Sequence, residues 1–161
     1  MPKPVYILCA ENITQDRETN LVSISNVIEK FDVTGIPVDL GQLPNTDELS
    51  KKLAQTANID IGGRPLMKVI AVWALQPGDE GQEFETGMMI TSPGKPDMIV
   101  GPMPFQFGEG GIYQRAILTV GGLPPLQSGT ITVVSRMRKK GETAWKTQSY
   151  DIVVEAAIKQ L

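Results

Sequence analysis

The side chains with the most chemical potential in this sequence gather near its C-terminal end. Arg136, Arg138, Lys139, Lys140, Trp145 and Lys146 place several cations and an indole in one short stretch. Clustered guanidinium and ammonium groups suit an anionic partner: an acidic patch on another protein, or a nucleic-acid backbone. The simpler reading is the solvated tip of a hairpin, where lysine protects an edge from aggregation. The carboxylates concentrate elsewhere, at Asp79, Glu80, Glu83 and Glu85. Oxygen ligands at such short spacing could hold Ca²⁺, but the spacing is not that of an EF-hand. Glu83 and Glu85 also fit the wet face of a strand. A glycosidase pair needs a second carboxylate cluster or an aromatic sugar platform, and neither is visible.

Other chemistries are excluded by composition. The chain of 161 residues contains no histidine, which removes imidazole bases, His-containing triads and the commonest transition-metal ligand. Ser128, Ser135 and Ser149 therefore have no partner base and no elbow motif around them. Gly108, Glu109, Gly110 and Gly111 form a glycine-rich run without the Lys-Ser/Thr ending of a phosphate loop, so it reads as a turn. Cys9 is the single cysteine, which leaves no intrachain disulfide and leans toward a reducing, cytoplasmic compartment. No cofactor or metal is expected. The net charge of −3 is too small for bulk attraction to nucleic acid, which the single indole at the basic tip does little to offset. No apolar run approaches the length of a membrane span, and the apolar stretch 5–10 is too short for a signal-peptide core.

The elements that must carry these residues are strands. Residues 130–138 are rich in β-branched side chains and alternate, with Ile131, Val133 and Met137 on one face. Thr130, Thr132, Val134, Arg136 and Arg138 fall on the other, which is the pattern of a strand with one wet face. Lys139, Lys140, Gly141 and Glu142 make the turn, with Gly141 at positive φ. On the return strand Tyr150, Ile152 and Val154 share one parity and Trp145 has the other. Either a bulge between Lys146 and Ser149 brings Trp145 inward, or Trp145 points away from the core.

Upstream, 5–10 reads as a first strand with apolar residues on both faces. A polar turn at 15–20 leads to a second strand, 21–28, which 29–33 extends. The most apolar strand is 66–75, a central one with Trp73 in the core. Phe84, Thr86, Met88 and Ile90 alternate with Glu83, Glu85 and Gly87 on the next. Residues 92–96 are a loop. Pro102 and Pro104 confine 99–107 to an edge, and 112–120 is a strand of mixed pattern. Met67, Met88 and Met103 fall on core parity. One segment changes period: Leu49, Leu53 and Ala57 recur every fourth residue, with Asn45 or Thr46 as N-cap and Glu48 completing a capping box.

The expected architecture is a mainly β, antiparallel immunoglobulin-like sandwich of about eight strands with one short amphipathic helix, in a single domain spanning 1–161. A closed barrel is the alternative.

Three stretches also look familiar: VYILCAENITQDRETNLVSISNVIE at 5–29, PGDEGQEFE at 77–85 and GLPPLQSGTITVV at 122–134. They resemble a family of small, uncharacterised prokaryotic β-proteins, and residues 35–64 look like an insertion carrying the helix. The last stretch is also similar to strands of immunoglobulin-like and fibronectin III-like domains, and Trp73 would take the central-strand tryptophan place. The resemblance implies a fold and no functional residues. With no acid–base or nucleophile set visible, function is expected to be non-enzymatic: a protein-interaction or assembly module, with a protein partner or self-association. The acidic loop and basic tip would support head-to-tail contacts between copies. The alternative is a sandwich binding carbohydrate or calcium through its loops.

Overall fold

The computed structural model describes residues 1–16, 18–34, 67–121 and 127–157. The expected helix and the 35–64 insertion lie outside these residues. Among the described residues there are nine strands: β1 Lys3–Gln15, β2 Val22–Val27, β3 Lys30–Thr34, β4 Met67–Ala74, β5 Glu83–Ser92, β6 Lys95–Gln106, β7 Tyr113–Val120, β8 Gly129–Lys139 and β9 Lys146–Ala157. They form a four-stranded sheet, β2-β1-β4-β7, and a five-stranded sheet, β3-β9-β8-β5-β6, in a sandwich-like arrangement. No helix of the described residues is long and apolar enough to cross a membrane.

The ninth strand arises where the chain changes sheets. Residues 29–33 do not extend β2. Asn26 turns into the left-handed region at φ 57, and Ile28 N–H still donates to Cys9 O at 2.9 Å. One residue later Glu29 O accepts from Val153 N–H, 3.0 Å away in the other sheet. From there β3 runs parallel to β9, so the five-stranded sheet is mixed rather than wholly antiparallel. The 92–96 loop is likewise shorter than expected. Ser92 pairs with Lys95 across a two-residue turn in which Gly94 has φ 66. Pro93 supplies the fixed φ before it, which suits a type II turn.

Between the sheets lie Cys9, Val69, Ile90, Ile131, Val133 and Ile152, each 4% exposed or less. β4 is buried on both faces. Its odd residues face the interior, and Ile70 and Val72 join Ala10 and Ile13 in a second apolar cluster on the other face. Burial of β4 on both sides explains why its sequence reads as one apolar run. At one end Trp73, Phe84 and Met137 form a third cluster, with Phe105 and Phe107 packed against Phe84. Trp73 Nε1 donates to Ser135 Oγ at 3.1 Å, so the hydroxyl of this buried serine satisfies the indole.

β6 is an edge strand, as its prolines require. Met103, however, is 49% exposed despite its core parity, whereas Met67 and Met88 are buried. Its register partner Thr86 faces inward. The opposite sheet ends at β7, so no strand among the described residues stands over Met103.

Candidate functional site

The β8–β9 hairpin places the candidate residues, and its regular pairing settles where each one points. Met137 opposes Lys146, Ser135 opposes Gln148 and Val133 opposes Tyr150, with no bulge between 146 and 149. Met137 is buried, so Lys146 lies on the inner side of the ladder and Trp145 before it on the outer face. Gly141 makes the turn at φ 86, with Glu142 N–H donating to Lys139 O at 3.0 Å.

On that outer face Trp145 is half-buried. The guanidinium carbons of Arg136 and Arg138 lie 4.7 and 4.4 Å from its ring centroid, within cation–π range. Lys146 is not part of this group. Its ammonium reaches the main-chain oxygens of Met1 and Pro2 at 3.3 and 3.4 Å, on the other side of the sheet. Lys139 is exposed at the turn.

The acidic residues are distributed, not clustered. β5 is the neighbour of β8, and Glu85 opposes Arg138 in register. Glu85 Oε2 accepts from Arg138 Nε at 2.6 Å, and Glu83 Oε2 accepts from Lys140 Nζ at 2.7 Å. That hydrogen bond and the nearby negative charge of Glu83 hold the Lys140 ammonium above its ordinary pKa. Asp79 is buried and pairs with the Met1 ammonium, while Glu80 accepts from Gly78 N–H within its own loop at 2.9 Å. The proposed calcium ligands are thus pulled to four different partners. Among the described residues, no three acidic, cysteine or histidine side chains gather to hold a metal ion.

The Glu85–Arg138 and Glu83–Lys140 pairs offset part of the charge of the acidic strand and of the basic tip within one chain. Among the described residues Arg136 and Lys139 are not matched by a carboxylate. The sequence carried the needed signal, since both sets fall on wet-face parity. It lacked the knowledge that β5 and β8 are neighbours.

Arg136 is left over from this pairing. Its register partner on β5 is Gly87, so it meets no side chain there. A Cβ at Gly87 would lie 2.9 Å from the main-chain oxygen of Val100 on β6, so the close approach of that backbone is what requires glycine here. Arg136 Nε is buried and has no hydrogen-bond partner. Beside it, Ile99, Met89 and Val134 form a cross-strand apolar row on the same face. Gly87 and this row were not among the residues singled out from sequence.

A concavity of about 560 Å³ lies at the end of the sandwich where the β4–β5 and β6–β7 connections meet. Leu75, Phe107 and Ile112 give it apolar walls, and Glu80, Gln106 and Glu109 line its polar side. Cys9, by contrast, is sealed in the core, and burial pushes its thiol up to about 12. Compared with known proteins, the chain matches no family model, and no curated protein or solved structure is significantly similar to it.

Proposed function

We propose that this protein is a non-enzymatic interaction module that binds a protein partner through the outer face of the five-stranded sheet. The observation that carries the reading is the position of Trp145: outside the core, half-buried, with two guanidinium groups against its ring. Tryptophan and arginine are the residue types that most often anchor protein interfaces. The Arg136 guanidinium makes no ion pair among the described residues, which favours a partner that brings a carboxylate, and the Ile99–Met89–Val134 row supplies the apolar flank. Arg138 and Lys140 contribute less to attraction, because Glu85 and Glu83 already offset them. A nucleic-acid partner is disfavoured for the same reason. The proposed compartment is the cytoplasm, which suits a lone cysteine.

The finer fold reading is an immunoglobulin-like sandwich, supported by strand order. β9, β8 and β5 follow one another as G, F and C do, and β4 lies beside β7 as B lies beside E. In that scheme Trp73 belongs to strand B rather than to the strand C place expected for it. A relation to the small prokaryotic β-proteins is proposed on residues 5–29, 77–85 and 122–134.

The test is affinity capture from the native host with the wild-type protein and Trp145→Ala side by side, followed by binding of the purified captured protein. At least about tenfold weaker binding by Trp145→Ala, measured where both proteins are fully folded and with a melting temperature lowered by no more than several degrees, supports the reading. Equal binding by both proteins refutes it. The hollow at the loop end favours a second reading, carbohydrate binding with Phe107 as a platform. A sugar panel that raises the melting temperature of wild type but not of Phe107→Ala would support it.

A further inference from the structure

Among the described residues the two sheets have four edges, and three of them are blunted. β2 is 6 residues long and kinks at Asn26. β3 has 5 residues, and its Lys30 is paired with Asp32 and Glu155. β6 carries Pro96, Pro102 and Pro104, and its register against β5 shifts twice. Each of these devices discourages a further strand from pairing. β7 has none of them. Its 8 residues contain no proline or glycine and pair in unbroken register with β4 on one side. Tyr113 and Ile117 are 50% and 39% exposed along it.

No described strand pairs with the outer edge of β7, and that edge presents its backbone. Leu75 N–H donates to Ile112 O at 2.8 Å, one residue pair beyond the end of the β4–β7 ladder. Hydrogen-bonded pairs alternate in an antiparallel ladder. Gln114, Ala116 and Leu118 therefore bond to β4, and the N–H and C=O groups of Tyr113, Arg115, Ile117 and Thr119 point to the open side. Next to them is a groove of about 250 Å³, lined by Thr86, Met88, Val100 and Met103 from one sheet and Ala116 and Leu118 from the other. It is where a fifth strand of the four-stranded sheet would lie, and it is why Met103 is exposed.

We propose that the β7 edge is a docking site for an extended segment of a partner protein, which adds to the four-stranded sheet as its fifth strand. Main-chain hydrogen bonds to Arg115, Ile117 and Thr119 supply affinity. Apolar side chains at alternate positions enter the groove and supply specificity. Arg115 is the only charged side chain on β7, and it makes no ion pair among the described residues, so an acidic side chain in the segment opposite it is favoured. A second copy of this chain fits less well. In an edge-to-edge pair the inward residues of each β7 already border their own groove, so neither groove is filled. This site is separate from the Trp145 face and does not depend on it.

The probe is a fluorescein-labelled synthetic peptide of alternating valine and threonine with a central glutamate, titrated by anisotropy and by amide hydrogen exchange. Saturable binding that slows exchange at Arg115, Ile117 and Thr119 is expected. Ile117→Pro removes one outward N–H without touching the β4 ladder, and it should weaken binding by about tenfold or more. Trp145→Ala should bind the peptide as wild type does. Ala116→Leu, which fills the groove, should also weaken binding and serves if Ile117→Pro does not fold. Absence of saturable binding, unchanged exchange at the three amides, or wild-type affinity in the folded variants overturns the proposal. So does a wild-type dimer, seen by light scattering, that Ile117→Pro dissociates, because the occupant is then a second copy.

Discussion

Replacing either tryptophan by alanine removes the same side chain from two opposite environments, and the difference in cost measures which way Trp145 faces. Trp73 is 0% exposed, packs with Phe84 and Met137, and donates to Ser135. Truncating a buried aromatic of this size costs about 3–5 kcal/mol, and the orphaned serine hydroxyl places Trp73→Ala in the upper part of that range. Trp145 loses two guanidinium contacts at 4.7 and 4.4 Å. At about 0.5–1 kcal/mol each, these give roughly 1–2 kcal/mol for Trp145→Ala. With a urea dependence of about 2 kcal/mol per molar, the midpoint should fall by about 2 M in the first variant and by about 0.5–1 M in the second. Fluorescence offers an independent check, since these are the chain's only 2 tryptophans. Trp145→Phe leaves an emitter that is blue-shifted and shielded from acrylamide; Trp73→Phe leaves one that is red-shifted and quenched. If Trp145→Ala lowers the midpoint as far as Trp73→Ala, or if both single emitters resist acrylamide equally, the Trp145 ring is core and the proposed face has no anchor.

Three further outcomes test the packing and charge assignments. The Glu85→Gln and Arg138→Gln double-mutant cycle should give a coupling of about 0.5–1 kcal/mol that shrinks in high salt, since both side chains are about a quarter exposed; zero coupling at low salt would contradict the pairing. Cys9 has its thiol pKa raised from 9.0 to about 12 by burial, so the folded state holds that proton more tightly than the unfolded chain. Its contribution is intact below pH 9.0 and is lost as pH rises through about 12. Denaturation curves should accordingly lose stability more steeply over that window in wild type than in Cys9→Ala, and native Cys9 should resist iodoacetamide until urea unfolds the chain. Gly94→Ala forces an alanine into φ 66 at the β5–β6 turn and should cost about 1–2 kcal/mol in thermal unfolding, with the larger share lost if the Gln127 side chain cannot move aside.

Parity along a strand is legible from the residues alone, because successive side chains alternate whatever the strand's neighbours are. Ile131, Val133 and Met137 face the core, and Arg136 and Arg138 face out. Gly141 adopts the positive φ expected of it. Which strand lies beside which is not legible, because lateral order is fixed by contacts between residues far apart in sequence. The Glu85–Arg138 bridge, whose partners are separated by 53 positions, is invisible for that reason. For the same reason 29–33 reads from sequence as an extension of β2 rather than a crossing to the other sheet.

Met103 and Arg136 both fall into that gap between parity and neighbourhood. Parity assigns Met103 to the interior, yet burial requires a strand opposite, and the four-stranded sheet stops one strand short of it. Parity assigns Arg136 to a basic patch, yet its neighbours Arg138 and Lys140 are matched by glutamates on β5, and only Arg136 faces a glycine. Each is a residue whose surroundings are incomplete within the described chain. One lacks an apolar cover, and the other lacks an acceptor for a buried donor. An apolar cover would take the Met103 side chain out of water, and a carboxylate on the outer face would pair with the outer N–H groups of the Arg136 guanidinium. The two residues lie on opposite faces of the five-stranded sheet, so one small ligand cannot satisfy both. Two protein contacts can: a strand added at β7 covers Met103, and a carboxylate brought to the outer face reaches Arg136.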